Sequence, residues 1–380
     1  AEATTAEAGR ATEVAAPGTA SLGGISPLGA ARRASLNAFK DREMFRTDMR
    51  YIMGYLPGFQ EFGAELTQLA ETVLSAAYAL CDGELRSRYG APYRDDGRPS
   101  MPAICALGKC GGREMGFASD IELMFVYDGN GLTGGPQQIS TAEYYEKLVP
   151  AVVQAIRARR EGIFEIDLQL RPYGGAGSLA VSLASFQRYF APGGPAWSYE
   201  RQALIKLRPI AGDKELGRQV GALRDEFVYS GAPFDVAAMR AMRERQIRYM
   251  VSAGSFNAKF SLGGLVDVEY LVQGLQISHG HKNPRLRSPN TAEAMAALTD
   301  AGLLTPEDHA FLRQAHAFLW RLIEALRVVR GNAKDLNVPP VSSEEFGFLA
   351  RRLGYGRDVT HLQDDISTWT AGVRRMVARL

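Results

Sequence analysis

The chain has 380 residues, 46% of them hydrophobic and 23% charged, with 44 Lys and Arg against 42 Asp and Glu. This is an ordinary globular composition, and the length predicts two or three domains. The near-neutral charge excludes a broad basic surface, and no apolar run is long enough for a transmembrane helix, so we expect no nucleic-acid partner and no membrane partner.

The first 34 residues have few large apolar side chains, which predicts a disordered lead or linker over 1–34. Apolar residues at helical spacing then predict helices within 35–90, over about 38–53 and 62–80. Pro57-Gly58 marks the turn between them. We expect these N-terminal helices to pack on the catalytic core that follows.

The block 91–213 mixes short apolar runs with helix. Strands are predicted at Ala103–Leu107, Ile121–Tyr127 and Ile163–Leu170, and a long helix at Thr141–Arg160. This order indicates an α/β core. After Asp213 the strand signals stop, and apolar stripes predict a helical bundle over 214–380.

A Gly-rich loop, Gly108-Lys109-Cys110-Gly111-Gly112, follows the first predicted strand. Closely spaced glycines let the backbone approach a bulky anion, and a helix beginning at Gly112 would favour phosphate at its free amides. Cationic side chains follow that could neutralise phosphate charge; the candidates are Lys109, Arg171, Arg201, Lys206 and Arg208.

Three carboxylates accompany this loop. Asp120 and Glu122 are two apart on a predicted strand, which places both on one face, and Asp167 lies on the third predicted strand. Carboxylates on one face repel unless a cation lies between them, and Mg²⁺ prefers carboxylate and phosphate oxygens. Each acid alone has a structural alternative, as a turn cap, a solvated strand residue or a partner of Arg171. The three together favour a metal site for in-line displacement.

Cysteine and histidine usage predicts neither a zinc site nor a disulfide framework. Cys81, Cys105 and Cys110 are too few and too irregular, which fits a reducing, cytoplasmic setting. His279 and His281 are expected to be solvent-exposed in a polar loop.

Charged residues in the helical block have structural interpretations. Asp267 and Glu269 are two apart on a predicted helix, so they do not share a face, and capping with a salt-bridged interdomain contact is favoured over metal binding. Arg240, Arg243 and Arg248 could reach a nucleotide, but a solvated helix face is favoured.

Four motifs resemble one enzyme family. The loop 108–114 followed by Ser119-Asp120-Ile121-Glu122-Leu123 resembles glutamine synthetase adenylyltransferases and adenylyl-removing enzymes, which belong to the DNA polymerase beta-like nucleotidyltransferases. The segments 167–172, 197–206 and 263–270 resemble further motifs of that family. The resemblance covers about 38–380.

The resemblance implies an α+β nucleotidyltransferase fold, a mixed sheet with helices, followed by an all-α helical bundle. It implies Mg²⁺ and ATP as cofactors, or phosphate and ADP in the reverse-type reaction. The acceptor would be a tyrosine of glutamine synthetase, with the signal-transduction protein PII as a further partner. Asp120, Glu122 and Asp167 would be the catalytic metal ligands. The predicted nucleotide-binding set is Gly108, Lys109, Gly111, Gly112, Ser119, Arg171 and Lys206.

The sequence also departs from the family. Glu122 stands where the family usually has Asp, Gln169 stands where it favours Arg, and one catalytic unit is present where the full enzyme carries two. The motifs leave the direction of AMP transfer open. Two alternatives remain: a regulatory nucleotide-binding module that has lost catalysis, and a uridylyltransferase acting on PII, although no His-Asp hydrolase pair accompanies it.

Overall fold

A computed structural model describes residues 27–158, 164–331 and 334–379. The helices are α1 (Pro27–Ile52), α2 (Phe59–Tyr89), α3 (Gly108–Gly111), α4 (Thr141–Ala155), α5 (Leu183–Phe190), α6 (Glu200–Ile205), α7 (Lys214–Val228), α8 (Val236–Met250), α9 (Leu265–His279), α10 (Thr291–Asp300), α11 (Pro306–Arg330), α12 (Glu344–Leu353) and α13 (Val359–Arg379). The strands are β1 (Pro102–Ala106), β2 (Ile121–Tyr127), β3 (Ile166–Asp167), β4 (Ala180–Ser182), β5 (Arg208–Gly212), β6 (Phe256–Asn257) and β7 (Asn337–Val338).

Two N-terminal helices are present where they were predicted, but α1 begins earlier and α2 ends later than expected. Helix α1 begins at Pro27, so the prediction of disorder was wrong for 27–34, while residues 1–26 lie outside the described part of the chain. The segment is rich in alanine and begins with a proline at the first helical position, and both favour helix although Leu28 is its one large apolar residue. Helix α2 begins after Pro57-Gly58, as predicted.

Five strands form a mixed sheet in the order β3-β2-β1-β5, with β4 beside the second half of β2. Strand β1 is antiparallel to β2 and β5, whereas β2 is parallel to β3 and β4. The α+β class is therefore confirmed. Strands β4 and β5 were not predicted, and only Ile166–Asp167 of the predicted third strand is extended in the sheet; its Ile163 lies outside the described residues.

Alternate residues of β1 and β2 enter different apolar cores. On one face Ile104, Ile121 and Leu123 pack with α2 and α4. On the other face Cys105 and Met124 pack with α5, α6 and α7. Helix α4 ends at Ala155, earlier than predicted, and residues 159 and 160 of that prediction are not described. Because both faces are covered, the polar end of β2 is the part that can form a site.

The C-terminal helices form a third core around α11, with Leu319, Trp320 and Leu322 inside it. Two features differ from an all-α bundle: β6 and β7 form a short antiparallel pair, and α7 packs against the sheet. The predicted domain boundaries stay a prediction. Among the described residues, no helix combines the length and apolar character needed to span a bilayer.

Candidate active site

The register of β2 and β3 places two predicted acids side by side. Glu122 is paired with Asp167, and Ile121 with Ile166, in a parallel ladder. Paired residues of neighbouring strands project to the same face. Ile121 and Ile166 pack on the α2–α4 core, so Glu122 and Asp167 project from the opposite face. The third predicted strand therefore lies beside the strand that carries Glu122.

Asp120 lies immediately before β2 and is exposed, whereas Glu122 is partly buried. Burial, followed by repulsion from Asp120 and then from Asp167, raises the pKa of Glu122 to about 7, against the opposing influence of Lys259 and Lys109. This mutual repulsion indicates that the three carboxylates share one electrostatic environment that a cation would stabilise.

The donor set fits Mg²⁺, which binds proteins through one or two carboxylates and takes further oxygens from phosphate and water. The carboxylates do not form a closed cage: within the described ranges, no three Asp, Glu, His or Cys side chains converge as a ready metal-binding group. Asp167 Oδ1 accepts a hydrogen bond from the Gln169 amide at 2.7 Å. Asp120, Glu122 and Asp167 stay the predicted ligands.

Gly108 holds the loop against the acidic site. Its φ is +49°, and a Cβ at this position would overlap the Glu122 carboxylate. The helix predicted to begin at Gly112 begins instead at Gly108 and ends at Gly111. A single turn has little aligned dipole, so this helix offers little attraction for an anion, and phosphate binding by the loop stays a prediction.

Gly111 and Gly112 are buried rather than open to solvent. A Cβ on Gly111 would overlap the Lys206 carbonyl oxygen, and one on Gly112 would come within 3.0 Å of the Pro289 carbonyl oxygen. These glycines permit close packing of the loop on neighbouring backbone. The sequence suggested that these glycines let a bulky anion approach the backbone. In the structure neighbouring backbone already occupies that space at both positions.

The two predicted phosphate lysines are engaged elsewhere. Lys109 pairs with Glu269 of α9 and lies 4.4 Å from the Trp320 ring centroid, while Lys206 pairs with Glu114. All four charged groups are mostly buried. Burial alone would raise the pKa of Glu269, but Lys109 and then Lys206 hold it below its usual range. The Lys109–Glu269 pair joins the loop to α9, whereas the Lys206–Glu114 pair joins it to the end of α6.

The side chains of the predicted arginines and of Ser119 form hydrogen bonds with backbone groups. Arg171 donates to the carbonyl oxygens of Leu168 at 2.5 Å and Gly177 at 3.1 Å, which shapes the loop after β3. Arg201 and Arg208 also donate to carbonyl groups, of Val228 and Gly111 respectively. The Ser119 hydroxyl accepts the Gly116 amide at 2.9 Å. Direct phosphate contacts of these residues stay a prediction.

The structural interpretation of Asp267 and Glu269 is confirmed. Asp267 accepts Gly263 N–H at 2.6 Å and pairs with Arg243 at 2.6 Å, whereas Glu269 reaches Lys109 from the same helix. Arg243 is buried, so its expected solvated position was wrong.

Four more residues of the helical region were considered in the sequence analysis, and their exposure differs. Arg240 and Arg248 are exposed as predicted. His281 is exposed in its loop, and His279 ends α9 and is half-buried.

An aromatic cavity beside the acids was missed from the sequence. It has a volume of about 500 Å³ and includes Gln169 and Arg171 from the loop after β3. Its aromatic walls include Tyr173, Trp197 and Tyr199, which are exposed side chains; the Trp197 and Tyr199 rings are roughly parallel, with centroids 6.0 Å apart. The two aromatic residues within 197–199 were the feature of the sequence that could have indicated this cavity.

The mixed sheet, the carboxylates on its neighbouring strands and the helical region that follows define the class of an α+β nucleotidyltransferase. A family model described as glutamate-ammonia ligase adenylyltransferase matches residues 6–222, and the chain belongs to this family. A second model, described as GlnD PII-uridylyltransferase, matches residues 236–380. The first match ends within α7, and the second begins at the start of α8.

Curated relatives carry the name bifunctional glutamine synthetase adenylyltransferase/adenylyl-removing enzyme. The relative from Hahella chejuensis (strain KCTC 2396) is 32% identical over 300 residues, which is 77% of this chain and 31% of the relative. The Streptomyces avermitilis relative is 32% identical over 375 residues, 94% of this chain and 36% of the relative. The chain thus spans about a third of the length of these relatives.

Proposed function

We propose that this chain is a Mg²⁺-dependent nucleotidyltransferase that adds AMP to, or removes it from, a tyrosine of glutamine synthetase, and so controls nitrogen assimilation. The observation that carries the proposal is the pairing of Glu122 with Asp167, with Asp120 one residue before β2. The family match and the names of the curated relatives support the substrate.

The nucleotide is proposed to lie between the acidic site and the aromatic cavity. Gln169 links the two, since it follows Asp167 closely and also lines the cavity. The exposed rings of Tyr173 and Trp197 offer flat apolar surfaces for an adenine base. Arg171 holds the connecting loop through backbone carbonyls, so it positions this region.

Asp120, Glu122 and Asp167 would hold the metal, which when bound supplies positive charge for the phosphate oxygens. In the forward direction the tyrosine oxygen bonds to the α-phosphorus of ATP, and the bond to the departing pyrophosphate breaks. In the reverse-type reaction a phosphate oxygen bonds to the AMP phosphorus, the tyrosine oxygen leaves, and ADP forms. Both directions require the same positioning of in-line oxygens.

The test is a pair of transfer assays on the full chain. Labelled ATP, Mg²⁺ and unmodified glutamine synthetase are expected to give labelled synthetase, or adenylylated synthetase and phosphate are expected to give ADP. Transfer in neither direction would contradict the proposal. If calorimetry then showed ATP binding without turnover, the regulatory module that has lost catalysis would be the better account.

A second candidate is uridylyl transfer to PII, which the match of residues 236–380 to a PII-uridylyltransferase model favours. The acids belong to the other match, over residues 6–222, so adenylyl transfer is preferred. Replacing ATP with UTP and glutamine synthetase with PII separates the two. Faster transfer from UTP to PII would favour the second candidate.

The proposal also includes the setting and partners. We place the protein in the cytoplasm, which is consistent with the three buried free cysteines, and propose PII as a regulatory partner. Neither nucleic acid nor a membrane is proposed as a partner.

A further inference from the structure

A second cavity lies away from the acidic site, among α8, α9 and α13. Its volume is about 510 Å³. Apolar side chains make up much of the lining, and they come from all three helices and the adjoining loops: Phe234, Met239, Ile247, Leu271, Leu275 and Val377. A cavity of this size with a mainly apolar lining is typical of a small-molecule site.

Helix α8 is unusual because its buried residue is an arginine. Arg243 is 6% exposed and lines the cavity. Its Nε donates to Asp267 at 2.6 Å and its Nη2 donates to the Ser261 carbonyl oxygen at 3.1 Å. Its Nη1 is buried and has no hydrogen-bond partner among the described residues. A buried donor of this kind favours a ligand that brings an acceptor.

The charged side chains around the cavity also favour a negatively charged ligand. Arg240 and Arg374 line it together with Arg243, against the acids Glu244 and Asp267. Asp267 is already committed, since its two oxygens accept from Arg243 and from the Gly263 amide. The cavity therefore carries a net positive charge beside an apolar wall.

We propose that this cavity is a binding site for a small amphipathic anion, a molecule with an apolar body and one negatively charged head such as a medium-chain carboxylate. The apolar body packs between α8, α9 and α13, and the head accepts hydrogen bonds from the arginines. This site is separate from the acids of β2 and β3, and its occupation does not depend on the proposed catalytic activity.

The test uses octanoate as the probe and 1-octanol as its uncharged match, each titrated into the full chain by calorimetry. We expect saturable binding of one octanoate per chain, with octanol at least tenfold weaker. The double change Arg240→Gln and Arg374→Gln should weaken octanoate binding at least tenfold and leave octanol unchanged. Arg248→Gln is the control, because this exposed arginine lies on α8 but does not line the cavity.

A second variant tests the apolar wall. Met239→Trp fills part of the cavity from a partly exposed helix, so it should weaken both probes while circular dichroism stays unchanged. No saturable octanoate binding, equal affinity for octanol, or an equal effect of Arg248→Gln would overturn the proposal. Sedimentation showing that a second copy of the chain covers this face would also overturn it.

Discussion

At the residue scale, the contact between Gly108 and Glu122 constrains the acidic site most tightly. The glycine has a positive φ, and the Glu122 carboxylate occupies the space that a Cβ would need. The requirement for glycine at position 108 is not visible in the local sequence. It comes from the Glu122 side chain, which extends from β2 into the space beside Gly108. The position thus has a geometric role beyond general loop flexibility.

Gly108→Ala should therefore displace the Glu122 carboxylate and reduce Mg²⁺-dependent transfer by at least tenfold. Gly54→Ala is the matched control, since Gly54 also has a positive φ but no atom near its Cβ position. Both changes should cost about 1–2 kcal/mol through the left-handed backbone alone. Equal activity of the two variants would mean that the contact with Glu122 is not functional.

His316 gives a pH prediction. Burial, followed by the nearby charges of Lys109 and Lys206, lowers its pKa to about 4, despite the opposing carboxylates Glu114 and Glu269. The unfolded chain binds a proton near the ordinary pKa of about 6.5, so the folded state loses stability as pH falls from 6.5 toward 4.

The slope from this one group is at most about 1.4 kcal/mol per pH unit. His316→Gln keeps a possible acceptor for the Trp320 indole N–H, which now donates to His316 Nε2 at 3.1 Å. Melting temperatures between pH 7 and 5 should fall less steeply in this variant than in the parent protein. Parallel pH curves would show that His316 does not carry the dependence.

At the element scale, β2 was predictable and β3 only in part. Ile121, Leu123 and Phe125 alternate toward one core, so strand type and face follow from the pattern. The segment around Asp167 has the same alternation over Glu165 to Gln169. Only Ile166 and Asp167 of that segment pair with β2. Its short ladder is set by the parallel register with β2, which a local pattern does not encode.

The lysines show where local reasoning fails. Lys109 follows a glycine, which favours a phosphate interpretation, yet its partner Glu269 lies 160 positions away on α9. The aromatic cavity likewise combines separate segments of the chain. Such non-local pairings depend on the whole fold, and a single sequence carries no direct signal for them.

The Lys109–Glu269 pair makes an element-scale prediction. Lys109→Met leaves Glu269 buried without its partner, so it should lower the free energy of unfolding by about 3–5 kcal/mol. The double change with Glu269→Leu should recover part of this loss. Thermal or denaturant melting measures both.

Arg218→Gln is the control, because it removes an exposed ion pair with Glu215 that contributes little. If Lys109→Met were no more destabilising than this control, the Lys109–Glu269 ion pair would contribute little to the stability of the protein.

At the scale of the whole molecule, the N-terminal helices contact the C-terminal core directly. Phe59 at the start of α2 stacks on Trp320 of α11, with ring centroids 4.1 Å apart, and Glu324 of α11 accepts the Phe117 amide at 2.6 Å. The parts matched by the two family models are thus joined by apolar, ionic and hydrogen-bond contacts.

Phe59→Ala should consequently lower the free energy of unfolding by about 2–4 kcal/mol, since it removes an aromatic contact and leaves space beside Trp320. Phe45→Ala, at a position that is 66% exposed on α1, should change it by less than about 0.5 kcal/mol. Equal destabilisation by the two changes would indicate that the contact between α2 and α11 does not hold the molecule together.

The proposed metal site is tested by calorimetric binding of a non-hydrolysable ATP analogue to the whole chain, with and without Mg²⁺. We compare the parent protein with Asp120→Asn, with Asp167→Asn and with Asp364→Asn, an exposed aspartate on α13 that serves as control. The proposed metal site predicts that Mg²⁺ strengthens binding at least tenfold in the parent and the control and has little effect in the other two variants. An undiminished Mg²⁺ effect in Asp120→Asn and Asp167→Asn would contradict it.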